Sequence, residues 1–400
     1  MLNQWLIGAA EWGMVAAALV LLVPIGVLFV ECIAALLPAR SPLNSNTVDQ
    51  RTAILMPAHN EAVVIADTLT SVTSHCPDTA NIYVVADNCT DETAAIARRF
   101  DVTVFERHDQ AKRGKGYALD YGLSCLSATL PETVVMVDAD CTVDAFALAR
   151  LSSQAQSSSR PIQGVYLMEV PPNPSPSDSI SALAFLVKNW VRPAGLARLG
   201  LPCLLTGTGM AFPWPIIKSA PLASGNIVED MQLGLDLAIA GYPPQFCAAA
   251  RLTGRLPSDA DAANSQRTRW EHGQLSTLTT QVPRLLKEAV HQRRFDLLAL
   301  ALEMLVPPLS LLVLMWSCTL MISGVVALAG FTRLPVYICA VEGLLIAIAI
   351  VAAWVKFGRH YISGAALLMA PLYVAWKIPL YIAFVVRRQT DWVRTKRDVT

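Results

Sequence analysis

Trp12 to Leu37 is apolar at almost every position, with Glu31 its one charged residue. A run of this length reaches across a hydrocarbon core about 30 Å thick. Within a bilayer every backbone N–H and C=O must be satisfied internally, so such a run is confined to a helix. Residues 12–37 are therefore expected to form a transmembrane helix, preceded by a short external segment, residues 1–11. A cleaved signal peptide would have a basic amino end and a shorter apolar core. Neither occurs here, and the span is expected to be retained. Positive charge follows the span at Arg40 and Arg51 and does not precede it. That asymmetry predicts an external amino terminus, with the following chain in the cytoplasm.

Only 16% of the 400 residues are charged, 54% are hydrophobic, and the mean hydropathy is +0.44. Soluble chains carry about a quarter charged residues, so a large part of this chain belongs in lipid. Apolar character returns at Leu297, with candidate spans at Met304–Leu328, Val336–Lys356 and Ser363–Val386. Two to three C-terminal membrane segments are thus expected within residues 304–386. An interfacial amphipathic segment, 281–303, precedes them, and a basic cytoplasmic tail, 387–400, follows. Three full crossings would leave that tail outside. Pro307-Pro308, Pro371 and Pro379 mark where a segment is broken, re-entrant or interfacial. The 31 basic and 31 acidic residues cancel, which removes a global case for nucleic acid as a partner. Nine cysteines occur with no Cys-x-x-Cys pair. They read as small apolar residues in a reducing compartment, not as a disulfide frame or zinc site.

After a linker, residues 38–51, the pattern becomes strand–helix alternation up to residue 280. Strands are expected at Thr52–Met56, Ile82–Ala86 and Val102–Phe105, and from Val134 into Asp138. This alternation predicts an α/β domain with a mostly parallel, doubly wound sheet, its site at the carboxyl ends of the strands. Asn60 and Thr90 are placed to cap the helices that follow them. Farther on, a helix to Gln156, a strand at Ile162–Val170 and a loop at Pro171–Asp178 are expected. Helices follow at Glu229–Ala240 and Ser265–Leu278.

Asp138 and Asp140 close the buried strand. Alternation along a strand would point both the same way, two hard oxygen ligands for Mg²⁺ or Mn²⁺ with phosphate oxygens completing the shell. Asp87, ending the second strand, can accept a hydrogen bond from a nucleobase imide, and Asn60 or Glu61 can meet base or ribose. Lys112-Arg113-Gly114-Lys115-Gly116 joins cations to glycines at a helix start, a cradle for diphosphate. Glu229 and Asp230 open a helix, and a carboxylate there can serve as general base on an acceptor hydroxyl. Helical spacing puts Gln266, Arg269 and Trp270 on one face, offering a hydrogen bond, a bidentate diphosphate partner and a ring for a sugar to lie on. Each group also has a plainer reading. The alternatives are turn acids, helix-dipole partners at Asp91, Glu92, Glu229 and Asp230, a solvated basic loop, and a juxtamembrane amphipathic helix.

Taken in order, Pro57-Ala58-His59-Asn60-Glu61, Asp87, Asp138-Ala139-Asp140, Val228-Glu229-Asp230 and Gln266-Arg267-Thr268-Arg269-Trp270 resemble the motifs of family 2 glycosyltransferases with the GT-A fold. The likeness is to the membrane-embedded branch that includes cellulose, hyaluronan and poly-N-acetylglucosamine synthases, and it covers about Thr52 to Thr280. Val228 stands where the family's triplet usually has Thr. The resemblance implies an inverting hexosyltransferase of the bacterial inner membrane that uses a nucleotide-sugar, expected to carry UDP. It implies Asp87 on the base, Asp138 and Asp140 on Mg²⁺ or Mn²⁺, and Asn60, Glu61, Lys115, Asp138 and Arg269 around the donor. Asp230 would be the catalytic base, with Gln266 and Trp270 on the acceptor. The acceptor is expected to be a saccharide or a lipid-linked molecule, in exopolysaccharide synthesis with export partners. The alternative is a single transfer to a polyprenyl-linked or other lipid acceptor.

Overall fold

The computed structural model describes residues 2–38, 45, 47–76, 78–170, 174–223, 228–255 and 260–386. The basic tail, Arg40 and Pro171 to Asn173 fall outside them.

Among the described residues eight strands make one sheet: β1 Thr52–Ala58, β2 Ile82–Asp87, β3 Thr103–Arg107, β4 Thr133–Met136, β5 Cys141–Val143, β6 Ile162–Met168, β7 Met210–Pro213 and β8 Gln245–Gly254. The spatial order is β3-β2-β1-β4-β7-β6-β8-β5. The parallel half expected from sequence is present: β1 pairs in parallel with β2 and β4, and β2 with β3. A second half joins it through the antiparallel pair β4–β7 and is itself mixed. The helices around the sheet are α1 Leu2–Ala34, α2 Ile65–His75, α3 Thr93–Arg98, α4 Lys115–Leu126 and α5 Ala147–Ser158. Next come α6 Pro176–Leu186, α7 Arg192–Arg198, α8 Trp214–Ile217, α9 Glu229–Ile239 and α10 Ala260–Gln292. The C-terminal helices are α11 Phe295–Leu305, α12 Leu309–Leu328, α13 Leu334–Ala353, α14 Gly364–Leu367 and α15 Ala370–Val386.

Burial follows the strand period. Ile54, Met56, Val84 and Val135 pack on one face with Ile65 and Leu69 of α2 and Leu148 and Leu151 of α5. Leu55, Val85, Val134 and Met136 pack on the other with Leu119 and Leu123 of α4. Covering both faces is why these strands are continuous apolar runs. Gly122 lets α4 lie close to the sheet, since a Cβ there would stand 2.6 Å from a Leu55 methyl.

Three local expectations change. Asn60 does not cap α2. It takes φ 53°, which asparagine tolerates, and the turn directs its side chain across to the neighbouring loop. There the Thr90 N–H donates to its Oδ1 at 2.7 Å and its Nδ2 donates to Thr90 Oγ1 at 3.1 Å. Thr90, occupied in this way, does not cap α3, and Asp91 accepts the Thr93 N–H at 3.0 Å instead. Pro176 to Asp178 are helical: Ser175 and Asp178 form a capping box and Pro176 takes the first position, where its missing N–H has no cost.

Among the described residues, three helices are long and apolar enough to cross a membrane: Glu11–Ala34, Leu309–Leu328 and Leu334–Gly358. The expected span Met304–Leu328 is divided at Pro307-Pro308, which separates α11 from α12. The segment Ser363–Val386 becomes α14 and the shorter apolar helix α15. The sheet is bolted to α1 through α7. A Cβ on Gly195 would lie 1.9 Å from the Glu31 carbonyl oxygen. Gly195→Ala is therefore expected to lose about 1–3 kcal/mol or more, because backbone must give way. An unchanged melting temperature in detergent would show that α7 and α1 do not meet there.

Candidate active site

One cavity of about 650 Å³ lies at the carboxyl ends of β1, β2 and β4. It gathers Asn60, Glu61, Asp87, Lys115, Asp138, Asp140, Glu229, Asp230, Gln266, Arg269 and Trp270, with Arg113 and Gly114 of the expected diphosphate cradle, whereas Lys112 and Gly116 of that cradle do not line it.

At one end Asp87 is buried and held from three directions. Arg107 donates to its Oδ1 at 2.6 Å, Asn88 Nδ2 donates at 3.0 Å, and the backbone carbonyl of Asp87 bonds His59 Nδ1 at 2.6 Å. Register explains the Arg107 contact, since Asp87 and Arg107 are paired across β2 and β3. Arg107 was not found from sequence. Its only signal was a cation at the end of an expected strand.

Asp138 and Asp140 do not stand on a strand. β4 ends at Met136, and the Cys141 N–H donates to the Asp138 carbonyl at 3.3 Å in a turn. Strand alternation therefore does not orient the pair, though both carboxylates line the cavity. The turn is set by Thr208, whose Oγ1 accepts the Asp138 N–H at 3.0 Å. Thr208 is placed in turn by Gln163, which donates to its carbonyl at 2.9 Å and accepts the Thr206 N–H at 2.8 Å. This Thr206–Gly209 loop was also missed. Glycines alternating with threonines were the available sign.

Lys115, the first residue of α4, stands at the centre. It forms an ion pair with Asp138 and donates to the Gly207 carbonyl at 2.6 Å. A Cβ on Gly207 would lie 3.1 Å from Asp230 Oδ2 and 3.5 Å from Lys115 Nζ. Gly207, at φ 93°, thus permits both the turn and the approach of Asp230. Burial opposes the charge on Lys115, but Asp138, Glu229 and Asp230 outweigh it and raise its pKa. Burial also raises Asp138 and Asp230, each partly countered by Lys115. For Glu229, burial and then the charge of Asp230 raise the pKa to about 8. Three acids whose affinity for protons is lifted, beside a lysine cation, suit proton transfer.

Arg269 and Trp270 reach the cavity from α10. The Trp270 ring meets Phe185 with centroids 6.0 Å apart, and Phe185 meets Tyr166 edge-on at 5.5 Å. The next turns of α10 are fixed by Lys377 of α15, which donates to Glu271 at 2.6 Å, and by Lys188, which donates to Gln274 at 2.8 Å. Lys188, between α6 and α7, lines the cavity, and no sequence pattern marked it.

The acids fit a divalent cation. Two carboxylates offer hard oxygen ligands, and no cluster of three or more ligating side chains occurs among the described residues. Magnesium-type sites of this kind take their remaining oxygens from substrate phosphates and water.

Comparison with known proteins agrees with this construction. Residues 50–273 match the family model described as glycosyltransferase like family 2. The chain is 26% identical over 242 residues to the probable glycosyltransferase YdaM of Bacillus subtilis (strain 168), covering 56% of this chain and 55% of that protein. It thus spans about half the length of that curated relative. It is 36% identical over 93 residues to protein RfbJ of Shigella flexneri, covering 23% of this chain and 67% of that one. Among solved structures, mannosyltransferase PcManGT from Pyrobaculum calidifontis, in complex with GDP-Man and Mn²⁺, superposes with a TM-score of 0.54 at 18% identity. That superposition covers 91% of this chain and 99% of the other, a likeness of fold. With the family match extending over more than half of its length, the chain belongs to the family 2 glycosyltransferases, built on the GT-A fold.

Proposed function

We propose that the protein moves a sugar from a nucleotide-sugar, UDP-linked in our reading, to an acceptor hydroxyl with inversion at the anomeric carbon. The carrying observation is the position of Lys115 between Asp138 and Asp230 in the cavity that also holds Asp87. Asp87, steadied by Arg107, receives the base. Asn60 and Glu61 line the same end. Asp138 and Asp140 would hold Mg²⁺ or Mn²⁺, which supplies positive charge to the donor diphosphate. Lys115 and Arg269 stabilise the negative charge that develops on the departing nucleoside diphosphate. Asp230 takes the proton of the attacking hydroxyl, and Trp270 and Gln266 position the acceptor. This arrangement differs from glycoside hydrolysis, in which two carboxyl groups flank the scissile bond.

The three apolar helices and the positive charge that follows the first of them favour a catalytic domain on the cytoplasmic side of the inner membrane. Exopolysaccharide synthesis, with export partners, is the pathway class this placement suits. A ladder of products would identify repeated addition, and a single added sugar the one-step alternative.

The test is a screen of UDP- and GDP-sugars that reads released nucleoside diphosphate. Excess chelator is expected to reduce turnover at least a hundredfold, and Mn²⁺ or Mg²⁺ to restore it. Full activity in chelator would remove the metal role from Asp138 and Asp140.

A further inference from the structure

Arg269 and Trp270 reach the cavity on a helix whose apolar seat is at its other end. α10 is 33 residues long, and Val282, Leu285 and Ala289 of its second half cluster with Leu235 of α9 and Leu300 of α11. Among the described residues of α10 before Leu278, none joins that cluster. Trp270 precedes Val282 by twelve residues, which is about 18 Å along the axis. A tilt of about 3° about the seat would therefore move Trp270 by about 1 Å, and a misplacement of that size costs about 10²-fold in rate. The first half needs a second point of support.

α15 provides it. Lys377 donates to Glu271 at 2.6 Å, and the two side chains are 3% and 19% exposed. One residue on, His272 Nε2 donates to the Leu380 carbonyl at 3.3 Å, and the His272 ring meets Phe384 edge-on at 5.2 Å. Lys377, Leu380 and Phe384 recur at helical spacing, so one face of α15 holds Glu271 and His272. That face is itself fixed. Lys377 Nζ stands 5.7 Å from the ring centroids of Tyr373 and Trp376, and the Tyr381 hydroxyl is hydrogen-bonded to Ser310 of α12 at 2.5 Å. A buried ion pair adds little stability over an apolar pair, because desolvating two charges offsets their attraction. What it does supply is one defined register between the two helices.

We propose that α15 is a positioning helix for glycosyl transfer, with Lys377 as its positioning residue. Lys377 does not line the cavity. By holding Glu271 it keeps Arg269 and Trp270, on the adjoining turn, within reach of the departing diphosphate and the acceptor. This rests on the glycosyl-transfer reading above and adds a supporting element to it. Asp87, Lys115 and Asp138 come from β2, α4 and the turn after β4, so nucleotide affinity does not pass through this contact. Loss of the contact therefore acts on turnover and leaves nucleotide binding in place.

The test uses the full chain in lipid nanodiscs with two substitutions. Lys377→Met keeps most of the side chain without its charge, and Lys377→Arg keeps the charge. Hydrogen exchange reads the seating of α10 directly. Lys377→Met should speed exchange over residues 268–276 at least tenfold and leave β1 and β4 unchanged. In the nucleotide-sugar screen it should cut kcat for release of nucleoside diphosphate at least tenfold, while fluorescent UDP and GDP bind within twofold of wild type. Lys377→Arg should bring exchange and kcat back to within threefold of wild type. Unchanged exchange over 268–276 would overturn the proposal, as would turnover and nucleotide affinity that fall together. Lys377→Arg as impaired as Lys377→Met would overturn it too. Faster exchange that Lys377→Arg reverses, with no nucleotide-sugar turned over by the wild type, would uphold the clamp and overturn the transferase reading.

Discussion

Asp230→Asn is expected to lower kcat by about 10²–10⁴-fold, the range that a positioned general base contributes, while nucleotide-sugar binding persists. Asparagine keeps the size of the side chain beside Gly207 and Lys115 but has no affinity for the hydroxyl proton. The fall corresponds to about 3–5 kcal/mol of barrier. The wild-type pH profile carries the same assignment. Burial raises the Asp230 pKa, and Lys115 only partly offsets it. The base is active when deprotonated, so kcat/KM should fall as pH drops through that raised value, at a pH above the ordinary carboxylate range. A variant that turned over at the wild-type rate with this acid limb intact would take the base role away from Asp230. Binding is followed separately, by displacement of a fluorescent nucleotide, so that lost affinity is not mistaken for lost chemistry.

The parallel half of the sheet was legible because its strands are buried on both faces. Ile54, Met56, Val84 and Val135 face one layer of helices while Leu55, Val85, Val134 and Met136 face the other. No polar alternation interrupts them, and each ends at a loop bearing a carboxylate or amide. Of the second half, β6 was legible as the expected strand Ile162–Val170, while β7 and β8 were not. β7, Met210–Pro213, is short and ends in proline, and β8 carries Arg251 within its run, so neither shows the regular apolar period that marks a strand. Among site residues, Asp138, Lys115 and Asp230 were found because several charged motifs follow one another in a recognisable order, although each alone has a structural use such as complementing a helix dipole. Lys188 and Gln163 were not, since their roles come from segments that meet only in the folded chain. Gln163 lies mid-strand, and it governs the site through the carbonyl of Thr208 and the N–H of Thr206. The Asp-x-Asp pair shows where the pattern misleads: alternation holds within a strand, and β4 stops two residues before Asp138.

Arg192→Met is expected to destabilise the protein by about 3–5 kcal/mol, the usual consequence of removing one member of a buried ion pair. Arg192 Nε donates to Glu31 Oε2 at 2.5 Å, and its Nη2 donates to the Glu303 carbonyl at 2.8 Å. The Arg192 and Glu31 side chains are 6% and 3% exposed. One guanidinium therefore joins α1, α7 and α11, and without it the Glu31 carboxylate is left buried without its cation. The double variant Glu31→Gln/Arg192→Met should recover a large part of the loss, because the uncompensated charge is gone. Thermal unfolding in a fixed detergent measures both. A single variant within about 1 kcal/mol of wild type would mean that water reaches Glu31 and that the pair is not a buried link. The functional consequence follows from position. Arg192 lines the cavity that contains Asp230, and Gly195, in the same short helix, rests on the backbone of Glu31. Loosening this joint shifts the membrane helices relative to the catalytic carboxylates. Arg192→Met should therefore reduce transfer to an acceptor hydroxyl more than hydrolysis of the donor by water, because only the first requires the acceptor to be held in line with the catalytic carboxylates.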